Sequence, residues 1–224
     1  MVMLTPQAHD NVAAAIRASE ESTNAEIFCV LAASADDYNE VPIALGVVAA
    51  LLTPLVILLA STLQAGWKVA HIANNSPAIS LADLIMLQAI VFLAVFLLTS
   101  IASIKRLVTP AGLKRERVRQ RALEQFHAQN LHQTKGRTGV LLFVSFSERM
   151  AELLADEGVN RSVDASEWRQ PMAVLSRAMR RGDLEAGLIG AVQEAGKILA
   201  RHAPRGEGDV NELSDAVVEL PPQR

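Results

Sequence analysis

The chain has 224 residues, of which 50% are hydrophobic and 20% charged, with a formal net charge of -3. That length holds one ordinary domain plus an added segment and excludes two full-sized domains beside a membrane segment. The near-neutral charge gives no bulk electrostatic case for a nucleic-acid partner, and the single cysteine, Cys29, excludes an intramolecular disulfide and any multi-cysteine metal cluster.

Thr5-Pro6 reads as an N-cap followed by proline at the first helical position. Val12, Ala13 and Ile16 recur at helical spacing, so a helix is expected over residues 5–21. Ala25–Ala32, rich in β-branched and aromatic residues, reads as a strand apolar on both faces and therefore buried. Glu26 is expected at its rim in water, and Cys29 within it as an inert buried thiol. A helix and a strand of this size cannot bury both faces alone, so their partners are expected further along the chain.

No charged side chain occurs from Val41 to Trp67, and Ile43 to Leu63 is almost entirely Leu, Val, Ile and Ala. A second run, Leu84 to Ile104, is interrupted only by Gln88 and some Ser and Thr, and stops at Lys105-Arg106. Each run has about the 20 residues needed to cross hydrocarbon. The sequence therefore predicts a transmembrane hairpin over 41–104, with spans at about 43–63 and 84–104, and the lipid bilayer as its partner. Two buried helices of a soluble protein are the competing reading, but surface helices keep a polar stripe that these runs lack. Gly46 and Pro54 fall inside the first span, where neighbouring groups re-satisfy freed backbone, and a kink is expected at Pro54. The connecting stretch, Gln64 to Ser80, holds the turn-forming cluster Asn74-Asn75-Ser76-Pro77.

Lys105, Arg106, Lys114, Arg115, Arg117, Arg119 and Arg121 follow the second span, against a lone Glu116. Basic residues close to a span end stay cytoplasmic, which places residues 1–40 and 105–224 in the cytoplasm and the protein in the plasma (inner) membrane. The same run also fits anionic lipid headgroups; nucleic acid is not favoured.

Thr109-Pro110 repeats the cap-proline start, and Val118, Ala122 and Phe126 at four-residue steps give an amphipathic helix to about Asn130. Gly139 to Phe146 is nearly all apolar, as expected of a central strand covered on both faces. Met150 to Ala155 is read as an antiparallel return strand, although a short helix fits the same letters, with Asp156-Glu157-Gly158 as a turn. Asp164-Ala165-Ser166-Glu167 has capping-box spacing, predicting a helix to Arg181 whose start Pro171 bends or displaces. Gly182-Asp183 stops it, and Leu184, Leu188, Val192 and Leu199 mark another helix, in which Gly187, Gly190 and Gly196 allow a neighbour to approach closely. Residues 204–224 are expected to be a mobile tail.

The segment Thr134-Lys-Gly-Arg-Thr-Gly-Val-Leu-Leu-Phe-Val-Ser-Phe-Ser-Glu-Arg149, followed by Ala155-Asp156-Glu157-Gly158-Val159, resembles the TPM-domain family. Trp168, Arg181-Gly182-Asp183, the run Ala186 to Ile189 and Asn211-Glu212-Leu213 continue that likeness, and Thr23 to Ile27 resembles the family's first strand. The resemblance implies an α/β fold, an α-β-α sandwich around a small mixed sheet, from a branch with a membrane hairpin inserted after strand one. The soluble domain would then comprise residues 1–40 and 105–203. Members are known from thylakoids and bacterial envelopes, and are linked to photosystem maintenance, receptor accessory roles and a reported divalent-cation-binding acid phosphatase activity. The resemblance also implies a candidate metal site at the strand ends, with Glu148, Asp156 and Asp164 offering oxygen ligands to Ca²⁺ or Mg²⁺. Each has a structural reading too: Glu148 pairing with neighbouring arginines, Asp156 closing a turn, Asp164 capping a helix.

Catalytic patterns are otherwise sparse. Gly136-Arg137-Thr138-Gly139 precedes a strand rather than a helix, so it lacks the architecture of a phosphate loop. His127 and His132 have neither zinc-protease spacing nor an accompanying carboxylate pattern, and read as solvated. The leading expectation is a membrane-tethered, non-catalytic interaction or regulatory module with an unidentified membrane-protein partner. A divalent-cation-dependent, phosphatase-like hydrolase is the alternative. A transporter would need an ion path that two spans with only Gln88 do not offer. Substrate, oligomeric state and physiological process are not readable from the residues.

Overall fold

The computed structural model describes residues 4–68, 80–206 and 217–222. Ile27–Ala32 (β1) is buried at every position, because it lies inside a four-stranded sheet. It is flanked by β2 (Val140–Ser145) and β4 (Val217–Leu220), both parallel to it, while β3 (Met150–Ala155) runs antiparallel on the far side of β2. The order is β3-β2-β1-β4. Cys29 stands opposite Leu142 on one side and Val217 on the other. Strands paired on both sides and covered on both faces favour continuous apolar runs over alternation, which explains β1 and β2.

Side chains alternate across the sheet, and the core divides accordingly. Ile27, Cys29 and Leu31 pack with Val140, Leu142 and Val144 in the core that also takes residues from α1 (Pro6–Glu20), α7 (Arg169–Arg181) and α8 (Leu184–His202). Phe28, Val30 and Ala32 join Leu141 and Phe143 on the other face, against Val118, Ala122 and Phe126 of α5 (Ala111–Ala128). The result is an α-β-α sandwich with a mixed sheet. Val12 and Ile16 of α1 are fully buried, each contributing about 1.5–3 kcal/mol of apolar burial. Thr5 caps α1 by accepting from the Ala8 amide at 3.2 Å, as its position before Pro6 predicts.

The second half holds several differences from expectation. Asp156-Glu157-Gly158 is not a turn; Asp156 caps a one-turn helix, α6 (Glu157–Asn160). Asp164 does not cap the following helix either. Its carboxylate accepts from the Ser166 amide at 2.8 Å, while Glu167 reaches the far end of α8, 3.0 Å from Arg201 and 2.9 Å from His202. α7 begins instead at Arg169, which puts Pro171 in the first turn, where its missing N–H would have had no intrahelical acceptor. Gly182 ends α7 at φ 78°, a left-handed conformation that glycine adopts without penalty.

Gly187 and Gly190 face Ala178 and Val174 of α7, and Gly196 faces Ser19 of α1, each where an added Cβ would sit 2.7 Å from its neighbour. The expected close approach of α8 is therefore real. The expected tail is part of the sheet from Val217 to Leu220; residues 207–216 and 223–224 lie outside the described residues. Leu4 and His9 fasten that strand, both bonded to the Glu219 carboxylate, at 2.8 and 3.0 Å.

Contacts divide the chain into a unit formed by residues 1–37 with 111–224, described above, and a second formed by 38–110. The second is a helical hairpin of α2 (Glu40–Lys68) and α3 (Leu81–Ser100), followed by α4 (Ala102–Val108). Candidate spans by length and composition are Glu40–Ala60 and Leu81–Ser100. The second starts before the expected Leu84 and stops short of Ile104, because Ser80 and Asp83 form a capping box and Ile101 is extended. The Asn74 to Pro77 cluster lies outside the described residues.

α2 runs on through Pro54, and the structure explains how. Proline has no N–H, so the carbonyl four residues earlier, on Ala50, loses its helical donor. Gln88 of α3 supplies one: its Nε2 donates to Ala50 O at 3.0 Å. Gly46 faces the Phe92 ring, where an added Cβ would lie 2.9 Å from Cδ2, so the glycine admits the aromatic side chain. Thr53 and Thr99 donate to carbonyls in their own helices at 3.0 and 2.7 Å.

Candidate functional site

Ligands in open α/β sheets bind beyond the carboxyl ends of the parallel strands. Here β1 and β2 are zipped past those ends: Phe146 N donates to Ala32 O at 2.9 Å and Ser147 N to Ala33 O at 3.0 Å. Glu148 sits in the β2–β3 turn, where its carboxylate accepts from the Ala35 amide at 3.2 Å and from the fully buried Ser145 hydroxyl. Asp36 faces Arg117 of α5, Nε to Oδ2 at 2.9 Å, and also accepts from its neighbour's amide at 2.6 Å. Glu148 thus holds the hairpin turn to the segment after β1, and Asp36 holds that segment to α5.

The opposite end of the sheet carries the densest ionic cluster. Asp156 is buried and takes a fork from Arg137, Nε to Oδ2 at 3.3 Å and Nη2 to Oδ1 at 3.2 Å. Oδ1 also accepts from the Glu157 amide at 2.7 Å, the short cap of α6. Arg137 reaches Glu157 as well, at 2.5 Å, and Glu157 meets Arg161 at 2.5 Å. The hydrogen bond and charge of Arg161, and then the charge of Arg137, hold the Glu157 carboxyl below the ordinary glutamate range. Arg137 itself is left-handed, at φ 53°, and its carbonyl accepts from the Gly158 amide at 2.9 Å. Gly136-Arg137-Thr138-Gly139 is therefore a structural clasp onto α6. Its mates are Asp156 and Glu157.

Glu148, Asp156 and Asp164 do not come together. Glu148 lies before the first residue of β3 and Asp156 after its last, so the length of a six-residue strand, about 17 Å, separates their backbones. Asp164 is exposed on the turn ahead of α7, where the Ser166 hydrogen bonds hold its pKa down. Among the described residues, no group of three or more His, Cys, Asp or Glu is placed to hold a metal ion. Glu148 and Asp156 flank opposite ends of β3, and Asp164 lies beyond α6, away from any strand end.

Other residues also depart from expectation. Glu26 is buried at 7% exposure rather than resting in water. His132 is only partly exposed; its Nδ1 is buried, and its ring lies 5.1 Å from that of His127. Cys29 behaves as expected: burial, reinforced by the charge of Glu20, pushes its thiol up to about 12, so no thiolate forms near neutral pH. Three arginines of α5 form ion pairs within the chain: Arg117 with Asp36, Arg119 with Glu152 at 3.4 Å and Arg121 with Glu124 at 2.8 Å.

Residues 103–198, from the end of the hairpin through most of α8, match the model of the TPM domain. This stretch is a TPM domain. α1 and β1 precede the matched residues, yet β1 lies in the same sheet as β2, so residues 38–110 interrupt one α/β unit after its first strand. The NMR structure of the BA42 protein from the psychrophilic bacterium Bizionia argentinensis is similar in fold, with a TM-score of 0.57 at 17% identity over 97% of this chain and 95% of that one. No curated protein matches.

Most of the exposed large apolar side chains among the described residues belong to the hairpin. Only 6% of the α2 span and none of the α3 span is buried. Among the described side chains, nine large apolar ones on α2 and eight on α3 are exposed, Leu51 at 67% and Leu81 at 74% among them. Leaving so many half-exposed side chains in water forgoes roughly 15–25 kcal/mol of apolar burial, more than the roughly 5–15 kcal/mol by which a domain is stable. Core helices of soluble proteins are mostly buried, and these are not.

Proposed function

We propose that this protein is an integral membrane protein of the plasma (inner) membrane, in which the α2–α3 hairpin anchors a cytoplasm-facing TPM domain that serves as a non-catalytic interaction or regulatory module. One observation carries the membrane part: both span-length helices are apolar on every side and bare within the fold. Lipid is the solvent that such surface requires, and backbone satisfaction supports it, since Gln88 answers the one carbonyl that Pro54 strands.

The orientation follows from Lys105 and Arg106, which stand directly after the second span. The non-catalytic reading is supported by how the acidic residues are used. Asp156 is engaged by Arg137 and an amide, Glu148 by Ser145 and Ala35, and Asp36 by Arg117 and an amide. A group already engaged in holding loops together is not free to act as nucleophile or general base without loosening the fold.

The test has two arms. Membranes washed at alkaline pH should retain the full chain, whereas release into the wash with peripheral proteins would overturn the anchor. The detergent-purified full chain, assayed on a generic phosphate ester with and without Mg²⁺ or Ca²⁺, should show no turnover. Turnover abolished by Asp156→Asn in a chain that remains folded would overturn the non-catalytic reading and favour a hydrolase.

A further inference from the structure

α3 ends at Ser100, and only one extended residue, Ile101 (φ -62°, ψ 124°), separates it from α4. At that break the Ser100 hydroxyl donates back to Phe96 O at 2.7 Å, and Ile101 N to Leu98 O at 3.4 Å, which closes the end of the span. α4 then restarts with Lys105 N donating to Ile101 O at 2.8 Å. Ile104, Leu107 and Val108 stand at positions i, i+3 and i+4 and share one face, with the extended Ile101 just before the helix; Arg106 lies opposite that face and Lys105 at its edge beside Val108. Leu107 is 84% exposed, more than any other large apolar side chain on the described surface, and Ile101 is 53% exposed. Lys105 Nζ donates to Asn39 Oδ1 at 3.1 Å, which ties α4 to the start of α2 and so to the end of the hairpin where both spans meet the same headgroup layer.

We propose that α4 is an interfacial helix that docks on an anionic phospholipid surface, with Ile101, Ile104, Leu107 and Val108 against the acyl boundary and Lys105 and Arg106 at lipid phosphates. The inference rests on the hairpin spanning the membrane. A helix that begins one residue beyond a span is held at headgroup depth by the chain itself, so docking costs little additional ordering. An apolar stripe with basic residues at its edge and behind it is the pattern that lies in the interface plane, and the anionic cytoplasmic leaflet attracts such cations over a Debye length. Docking would set where the TPM domain begins relative to the bilayer, and would make that setting dependent on lipid charge.

The test uses the full chain reconstituted in vesicles of phosphatidylcholine with or without phosphatidylglycerol. An environment-sensitive thiol fluorophore is placed at Leu107→Cys or, separately, at Ile90→Cys in the middle of α3. The wild-type chain, whose thiol is buried, is the blank. Quenching by nitroxide lipids reads depth. The expected result is acyl-depth quenching at position 90 in both lipids and headgroup-depth quenching at 107 that strengthens with phosphatidylglycerol. Lys105→Gln with Arg106→Gln should abolish that strengthening, docking weakening by about fivefold for each charge removed. A fluorophore at 107 that stays in water while position 90 is quenched overturns the interfacial helix and leaves the spans intact. Water at both positions overturns the spans and the inference with them.

Discussion

Replacing Gln88 by leucine removes the donor that satisfies the Ala50 carbonyl and leaves that oxygen without this donor between α2 and α3. Hydrogen bonds between helices within membranes are worth about 0.6 kcal/mol on average and up to about 2 kcal/mol. The Ala50 carbonyl lacks its helical donor because Pro54 has no N–H, so Gln88→Leu should sit toward the upper end, at about 1–2 kcal/mol. The reasoning makes a sharper claim about context. Pro54→Ala restores an amide four residues after Ala50, and the helix then supplies its own donor. In that background Gln88→Leu should cost less, with a coupling of about 1 kcal/mol between the two sites in a double-mutant cycle. Reversible unfolding of the purified chain in mixed micelles, followed by far-ultraviolet circular dichroism, measures all four corners. Equal losses from Gln88→Leu with and without Pro54 would refute the interlock.

Arg137→Met should destabilise the TPM domain by about 1–2 kcal/mol in urea unfolding, because it strips the fork from a buried Asp156 while the exposed half of Arg137 contributes little. Glu157 should titrate below the ordinary glutamate range in a carbon-detected NMR titration, and Arg161→Gln should raise its midpoint. Its lowered folded-state pKa means that its stabilising contribution is complete above the unfolded-state value and lost as pH falls through the folded one, so Glu157→Gln should flatten the stability profile on the acid side only. Cys29 should resist a thiol reagent at neutral pH in the native chain and react at once when the chain is denatured; rapid native labelling would contradict its burial. Gly196→Ala should lower the melting temperature, because its Cβ meets Ser19 at 2.7 Å and must part α8 from α1, an overpacking cost of about 1–3 kcal/mol.

The strands β1 and β2 were legible because both are paired on two sides and covered on two faces, a circumstance that writes an uninterrupted apolar run into the sequence. The hairpin was legible for a similar reason, since exposure on every side demands apolar residues on every side. β4 was not: it is four residues long, with a glutamate among them, and its partner lies nearly two hundred positions earlier, so nothing local marks it. The capping spacing at Asp164 and Glu167 misled because local geometry lost to a tertiary pair, Glu167 with Arg201 and His202. The candidate carboxylates failed as a set because Glu148 and Asp156 flank the two ends of one six-residue strand and α6 intervenes before Asp164, a helix read from the sequence as a turn. Arg137 stood in the sequence within a glycine-flanked turn; its partners, Asp156 and Glu157, became visible only once β3 returned beside β2.

Impermeant maleimide labelling of intact cells tests the membrane account most directly. A cysteine placed between the spans, Ser76→Cys, should label from outside, whereas one on the exposed surface of the TPM domain, Arg161→Cys, should label only after permeabilisation. Protection of both positions until the cells are opened, with the chain recovered in the soluble fraction, would contradict the account.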